Sequence, residues 1–236
     1  MNDATADLTT PIYHKIDETT EPPDHEPVCH VLARNGLFTR RKHRFFTSCV
    51  RARNWPSELA PQKQYLKLHC PKLPGAAMER IVGFFARIAQ LHGAEAAALL
   101  FWDRRAERIR FEIPEQRATV TECWNGSRYA SDVRYETPQV NGDLSLFGSV
   151  HSHVDGAAYS SPTDREDESY LTGLHIVVGK IQHEPPEVHC EYVVDGVRFK
   201  VDARTVIEGY GRRNPDVPEA WIERVKVELD RYESRS

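Results

Sequence analysis

Apolar positions recur along the chain at two periods, and the switches between them mark out its elements. Met78, Ile81, Val82, Phe85, Ile88 and Ala89 fall three or four residues apart, the spacing of one helix face. Pro74 ahead of them suits a helix start, and Gly93 behind them can end the helix in the left-handed conformation. Elsewhere apolar residues alternate or form short runs, as strands do, at 28–33, 65–69, 95–102, 107–113, 117–124, 144–150, 174–179, 187–194 and 197–201. Asn35-Gly36 turns the first of these into a returning strand over 37–50, and Asp103-Arg104-Arg105 and Asp195-Gly196 supply further hairpin turns. Pro56 and Pro61 make 54–63 a linker, and 125–143, with Asn125-Gly126 and Asn141-Gly142, is polar and turn-rich. A short helix is expected over 203–210, and Pro218 opens a C-terminal helix on which Trp221, Val225 and Leu229 keep helical spacing. The alternation of helices and strands, with several short hairpin links, predicts an α/β protein built on a mixed sheet.

Composition narrows the picture. The chain has 236 residues, 40% of them hydrophobic, enough for one ordinary domain plus extensions or a small second domain. It has no apolar run of transmembrane length, and its polar, acidic N-terminus does not read as a signal peptide. Five cysteines, odd in number and without a Cys-x-x-Cys pair, predict reduced thiols and a cytoplasmic protein. A net charge of −4 argues against general nucleic-acid binding. Residues 1–27 hold seven acids and one lysine and read as a disordered acidic tail. Residues 28–62 read as a small β-rich N-terminal module with its linker, and 212–236 as the C-terminal helix. Arg40, Arg41, Lys42, Arg44, Arg51 and Arg53 lie in a stretch without acids. That stretch is either a solvated hairpin face or a docking patch for an acidic partner or for the chain's own tail.

The chemistry concentrates where the strand 144–150 ends. His151 and His153 are two apart on an extended chain, so they project to the same side. A loop over Asp155–Ala158 follows, and Ser161, Pro162 and Asp164 then mark a helix start. Ser161 and Asp164 alone would be an ordinary capping box. With the histidines they complete a set of two imidazoles and one carboxylate, which can hold a zinc ion with one coordination position open, as catalytic zinc requires. Asp167 and Glu168 follow as partners for the ligand histidines or, on the plainer reading, as a solvated acidic turn favoured by the helix dipole.

The order His-x-His, seven residues, Ser, two residues, Asp resembles the JAMM motif of the JAB/MPN+ zinc metallopeptidases, in a form similar to prokaryotic JAB-type deubiquitinase-like proteins. The resemblance covers roughly residues 64–205 and implies a metallopeptidase domain over 63–211. Its fold would be JAMM/MPN-like (cytidine-deaminase-like), a mixed β-sheet flanked by helices, with the β-rich N-terminal module as an addition. His151, His153 and Asp164 would hold one Zn2+ per chain. The family places a catalytic Glu at the start of an early strand. Glu95 stands there, whereas Glu107, Glu112 and Glu115 fit that place less well. Glu95 would act as general base and then acid, and Ser161 would donate to the oxyanion. Trp124 and Tyr129 would contact an extended peptide or, on the plainer reading, serve as ordinary packing. Val154 stands where the family often has Pro, and Ala98 where it often has Gly. The implied activity is cleavage of the amide bond after the C-terminus of a ubiquitin-like protein, by deconjugation or precursor processing. The expected partners are that protein or its conjugates and other components of a bacterial conjugation system, with neither nucleic acid nor membrane. The competing readings are the same zinc chemistry on another amide, and a non-catalytic MPN-type scaffold.

Overall fold

The computed structural model describes residues 10–57, 59–138 and 142–231. The chain divides into two units, residues 1–64 and 65–236. In the first, β1 (Ile12–His14), β2 (Val28–Ala33), β3 (Gly36–His43) and β4 (Phe46–Arg51) form one sheet in that order. The Asn35-Gly36 turn joins β2 to β3 as its sequence predicts, with Ala33 paired to Gly36. The stretch 37–50 is not one strand but two, because the chain reverses at Arg44-Phe45 and brings Phe46 opposite His43. The expected disordered tail is also corrected: Ile12–His14 pair in parallel with His30–Leu32, while residues 1–9 lie outside the described residues. Asp24 lies 2.8 Å from Lys42 and 3.4 Å from Arg40, so the acidic segment neutralises part of the basic stretch.

The second unit opens with α1 (Gly75–His92), which begins after Pro74 and ends at Gly93, whose N–H still donates to the Ala89 carbonyl and whose φ of 62° then turns the chain out of the helix. There follow β5 (Ala97–Asp103), β6 (Arg108–Glu112), β7 (Gln116–Glu122), β8 (Arg128–Tyr135), β9 (Leu144–Ser152), α2 (Pro162–Asp167), β10 (Gly173–Gly179), β11 (Glu187–Val194) and β12 (Val197–Val201). Two one-turn helices, α3 (Ala203–Val206) and α4 (Glu219–Ile222), and a last strand, β13 (Val225–Arg231), complete it. The main sheet has the order β12-β11-β10-β9-β5-β6; β9 and β10 are parallel and the other pairs antiparallel. This is the mixed α/β fold that the alternation of elements predicts. Met78, Ile81, Phe84, Phe85 and Ile88 of α1 pack with Leu100, Val150 and Ile176 of the sheet in one fully buried cluster. Each such side chain contributes about 1.5–3 kcal/mol of burial.

Four expectations are corrected here. Tyr65–His69 forms no strand; its alternation is weak and Tyr65 is exposed. The polar stretch after 125 contains β8, which pairs with β7 although half of its residues are exposed and none is buried; Asn141 of the expected Asn141-Gly142 turn lies outside the described residues. The helix over 203–210 is confined to Ala203–Val206. The C-terminal helix is a single turn followed by β13, parallel to β7. Val225, Val227 and Leu229 alternate, and the free edge of β7 selects that period over the helical one; residues 232–236 of the expected helix lie outside the described residues. Among the described residues no helix is long and apolar enough to cross a membrane.

Candidate metal centre

The centre begins at the carboxyl end of β9. His151 is buried, paired across the parallel ladder with Val177, and the His153 N–H donates to the Val178 carbonyl at 2.8 Å. Immediately after, Val154 takes φ 48°, a conformation costly for a β-branched residue, at about 1–3 kcal/mol. The turn that results is closed by the Gly156 N–H on the His153 carbonyl at 2.7 Å and tied back by the Ile181 N–H on the Val154 carbonyl at 2.8 Å. It also puts the Ala157 carbonyl 3.1 Å from His153 Nδ1. A proton on Nδ1 there leaves the Nε2 lone pair free to bind a metal.

Gly179 is what allows this turn to sit so close to β10. A Cβ at that position would lie 2.3 Å from the Ala158 nitrogen and 2.5 Å from the Gly156 oxygen, both backbone atoms. Gly179→Ala is therefore expected to push the loop off the strand, destabilise the protein by about 2 kcal/mol and lower its Tm by roughly 5 °C. Thermal denaturation of the purified variant checks this.

Asp164 arrives on α2. Ser161 caps the helix through a reciprocal pair: its Oγ accepts from the Asp164 N–H at 3.2 Å, and Asp164 Oδ2 accepts from the Ser161 N–H at 2.7 Å. The capping reading and the ligand reading hold together, because the same carboxylate faces both histidines. Ser161 Oγ accepts in the cap, and its hydroxyl also bonds the Asp164 carboxylate and helps to hold it ionised.

The donor atoms converge. His151 Nε2 and His153 Nε2 are 3.3 Å apart, Asp164 Oδ1 is 3.4 Å from the first and Asp164 Oδ2 3.4 Å from the second. Zinc bonds of 2.0–2.1 Å at tetrahedral angles set neighbouring donors about 3.3 Å apart; the two imidazole nitrogens have that spacing and one Asp164 oxygen lies within 4.8 Å of both, so the set is placed to chelate a metal ion. Its field also asks for positive charge. Burial works against charge on His153, but the Asp164 hydrogen bond and the Glu95 charge outweigh it and raise its pKa. Burial likewise pushes the Asp164 carboxyl up, yet hydrogen bonds from His151 and His153 hold it far below the usual range.

Glu95 lies between α1 and β5. Ser152 clamps the next residue from both sides: its N–H donates to the Ala96 carbonyl at 3.0 Å, and its Oγ accepts from the Ala96 N–H at 3.1 Å. Gln116 does the same for Ala97, accepting from its N–H at 2.7 Å and donating to its carbonyl at 3.1 Å. These two buried side chains set Glu95 beside the histidines, and neither is distinguishable in the sequence from an ordinary strand residue. Burial raises the Glu95 carboxyl above its usual range against the pull of His153 and His151. Glu107, Glu112 and Glu115 lie on β6 or in the turns around it.

A cavity of about 1230 Å³ opens beside His153, between α1, the start of β8 and the loop at Val154–Gly156, and Tyr129 is on its wall. Trp124 is not; it sits on the β7–β8 turn and is 89% exposed. Tyr159, which the sequence does not single out, packs edge-on against His153 at 5.2 Å between ring centroids. Asp167 is solvated as the plainer reading predicts, but Glu168 is not: it is 5% exposed and bonded to Arg198 and His175. A charge-matched partner thirty residues away draws it inward.

Residues 79–192, which include Glu95, both histidines, Ser161 and Asp164, match the family model of prokaryotic homologs of the JAB domain. No curated protein matches the chain. Among solved structures, a JAB1/MPN domain protein from Archaeoglobus fulgidus is 18% identical, with 57% of this chain and 97% of that one covered and a TM-score of 0.32. A protein from Salinibacter ruber is 14% identical, with 62% and 94% covered and a TM-score of 0.30.

Proposed function

We propose, from the match of residues 79–192 to the family model of prokaryotic homologs of the JAB domain, that the chain is a zinc-dependent isopeptidase or peptidase that cleaves the amide bond after the C-terminus of a ubiquitin-like protein. The observation that supports it best is the triple convergence of His151 Nε2, His153 Nε2 and the Asp164 carboxylate at 3.3–3.4 Å, with Glu95 half-buried beside them. Zinc held by these three residues would supply Lewis acidity toward the scissile carbonyl and make water acidic near neutral pH. Glu95 takes the proton from the attacking water and returns it to the leaving amine; its burial suits it to both roles by moving its pKa toward the working pH. Ser161 turns its O–H from the Asp164 carboxylate to the developing oxyanion. Tyr129 lines the path by which an extended C-terminal tail reaches His153.

The ubiquitin-like substrate rests on the family alone and is tested directly. Ubiquitin-like proteins carrying different C-terminal extensions are incubated with the zinc-loaded protein, and the products are identified by mass spectrometry. Cleavage directly after the ubiquitin-like C-terminus, abolished by a chelator, is the expected result. Cleavage of unrelated amides with no preference for these fusions would leave the chemistry and replace the substrate.

A further inference from the structure

The helix that carries Asp164 has nothing apolar to hold it. α2 is six residues long and buries none of its side chains, so hydrophobic packing does not fix where its carboxylate points. What holds it is Arg198 on β12. Nη2 of Arg198 donates to the main-chain carbonyl of Asp164 at 3.2 Å, and Nη1 donates to Glu168 Oε2 and to Glu191 Oε2, both at 3.0 Å. Glu168 closes α2 and also meets His175 on β10 at 3.3 Å. Glu191 on β11 accepts from the hydroxyl of Ser160, the residue before the cap, at 3.0 Å. The segment Ser160–Glu168 is thus gripped at both ends and at its centre by one guanidinium and the carboxylates around it. The side chains are 7–14% exposed, so solvent does little to weaken the contacts.

We propose that Arg198 is a positioning residue of the metal centre: by bonding the Asp164 carbonyl and locking both ends of Ser160–Glu168 to β10, β11 and β12, it sets the Asp164 carboxylate for metal binding. The inference rests on the metal-centre reading above. Arginine is required because its planar fork meets three acceptors in fixed directions, which the single ammonium of lysine cannot do. Loss of a partner that orients a ligand typically weakens metal binding about 10–100-fold.

The test compares wild type with Arg198→Lys, which keeps the charge that Glu168 and Glu191 need. Zinc Kd is measured by competition with a chromophoric chelator, and Tm on the metal-free protein. A Kd raised about 10–100-fold with a metal-free Tm within roughly 4 °C of wild type is expected. A second variant replaces Arg198 with Met and both Glu168 and Glu191 with Gln, so no buried carboxylate is left unpaired; the same loss of affinity is expected from it. A zinc Kd within about twofold of wild type in either folded variant overturns the inference and leaves the centre standing. A metal-free Tm that falls by about 10 °C or more in both variants also overturns it, making the network a stability element. Wild type that binds no zinc removes the centre itself and the inference with it.

Discussion

Glu95→Gln is expected to lower turnover of a ubiquitin-like fusion by about 10²–10⁴-fold while the protein still carries its zinc. The amide fills the same space but accepts no proton, so the step in which water becomes a nucleophile loses its base. The ligand set is untouched, since the converging donors belong to His151, His153 and Asp164. The fold is expected to survive as well: burial penalises the charged form of Glu95, so a neutral side chain of the same shape removes a cost rather than a contact. The loss belongs in kcat, with KM little changed, because Glu95 acts on the reacting atoms rather than on the distant parts of the substrate. Elemental analysis and steady-state kinetics on the same preparation read both halves of the prediction. Zinc retained with wild-type turnover takes Glu95 out of the mechanism; zinc lost makes it part of the metal site instead of the base.

How far the sequence reaches can be judged residue by residue. His151 and His153 are legible because strand period and ligand chemistry coincide: a two-residue step puts both rings on one side, and the structure joins their Nε2 atoms at 3.3 Å. Asp164 is legible because Ser161 and Pro162 announce a helix start, and α1 because Met78 to Ile88 repeat with helical spacing. What stays hidden depends on partners far along the chain. Ser152 stands between the two histidines and gives no local sign that both its backbone and hydroxyl clamp Ala96, fifty-six residues upstream. Glu168 looks like one more acid on a polar turn until Arg198 is brought over it, thirty residues on. β8 and β13 were hidden for a related reason: one is too polar and the other fits either period, so only the two edges of β7 decide what they become. Local periodicity therefore yields the ligands, whereas the residues that orient them emerge only from the folded sheet.

Wild-type protein is expected to carry one zinc ion per chain, and His151→Ala and His153→Ala to carry none, by elemental analysis after dialysis against trace zinc. Each substitution leaves two donors of three, too few for a closed protein site. The two histidines differ in what else they do. His153 also bonds the Ala157 carbonyl at 3.1 Å and packs on Tyr159, so its loss loosens the loop. His151 is buried on β9, and among the described residues these two contacts belong to His153. Equal loss of zinc in the two variants therefore marks a ligand effect, while loss in His153→Ala alone marks a loop effect. Thermal denaturation supplies the second reading: zinc at 100 times its Kd stabilises a protein that binds it by about 2.7 kcal/mol, so the wild-type Tm rises with added zinc and that of each variant does not. The rival account of the same distances is a proton. Asp164 is held ionised and His153 is drawn toward its charged form, so a shared proton between imidazoles and carboxylate would also bring them to 3.3–3.4 Å. That account predicts no zinc on the wild type and no response of Tm to the metal, and it would leave Glu95 with no nucleophile to activate.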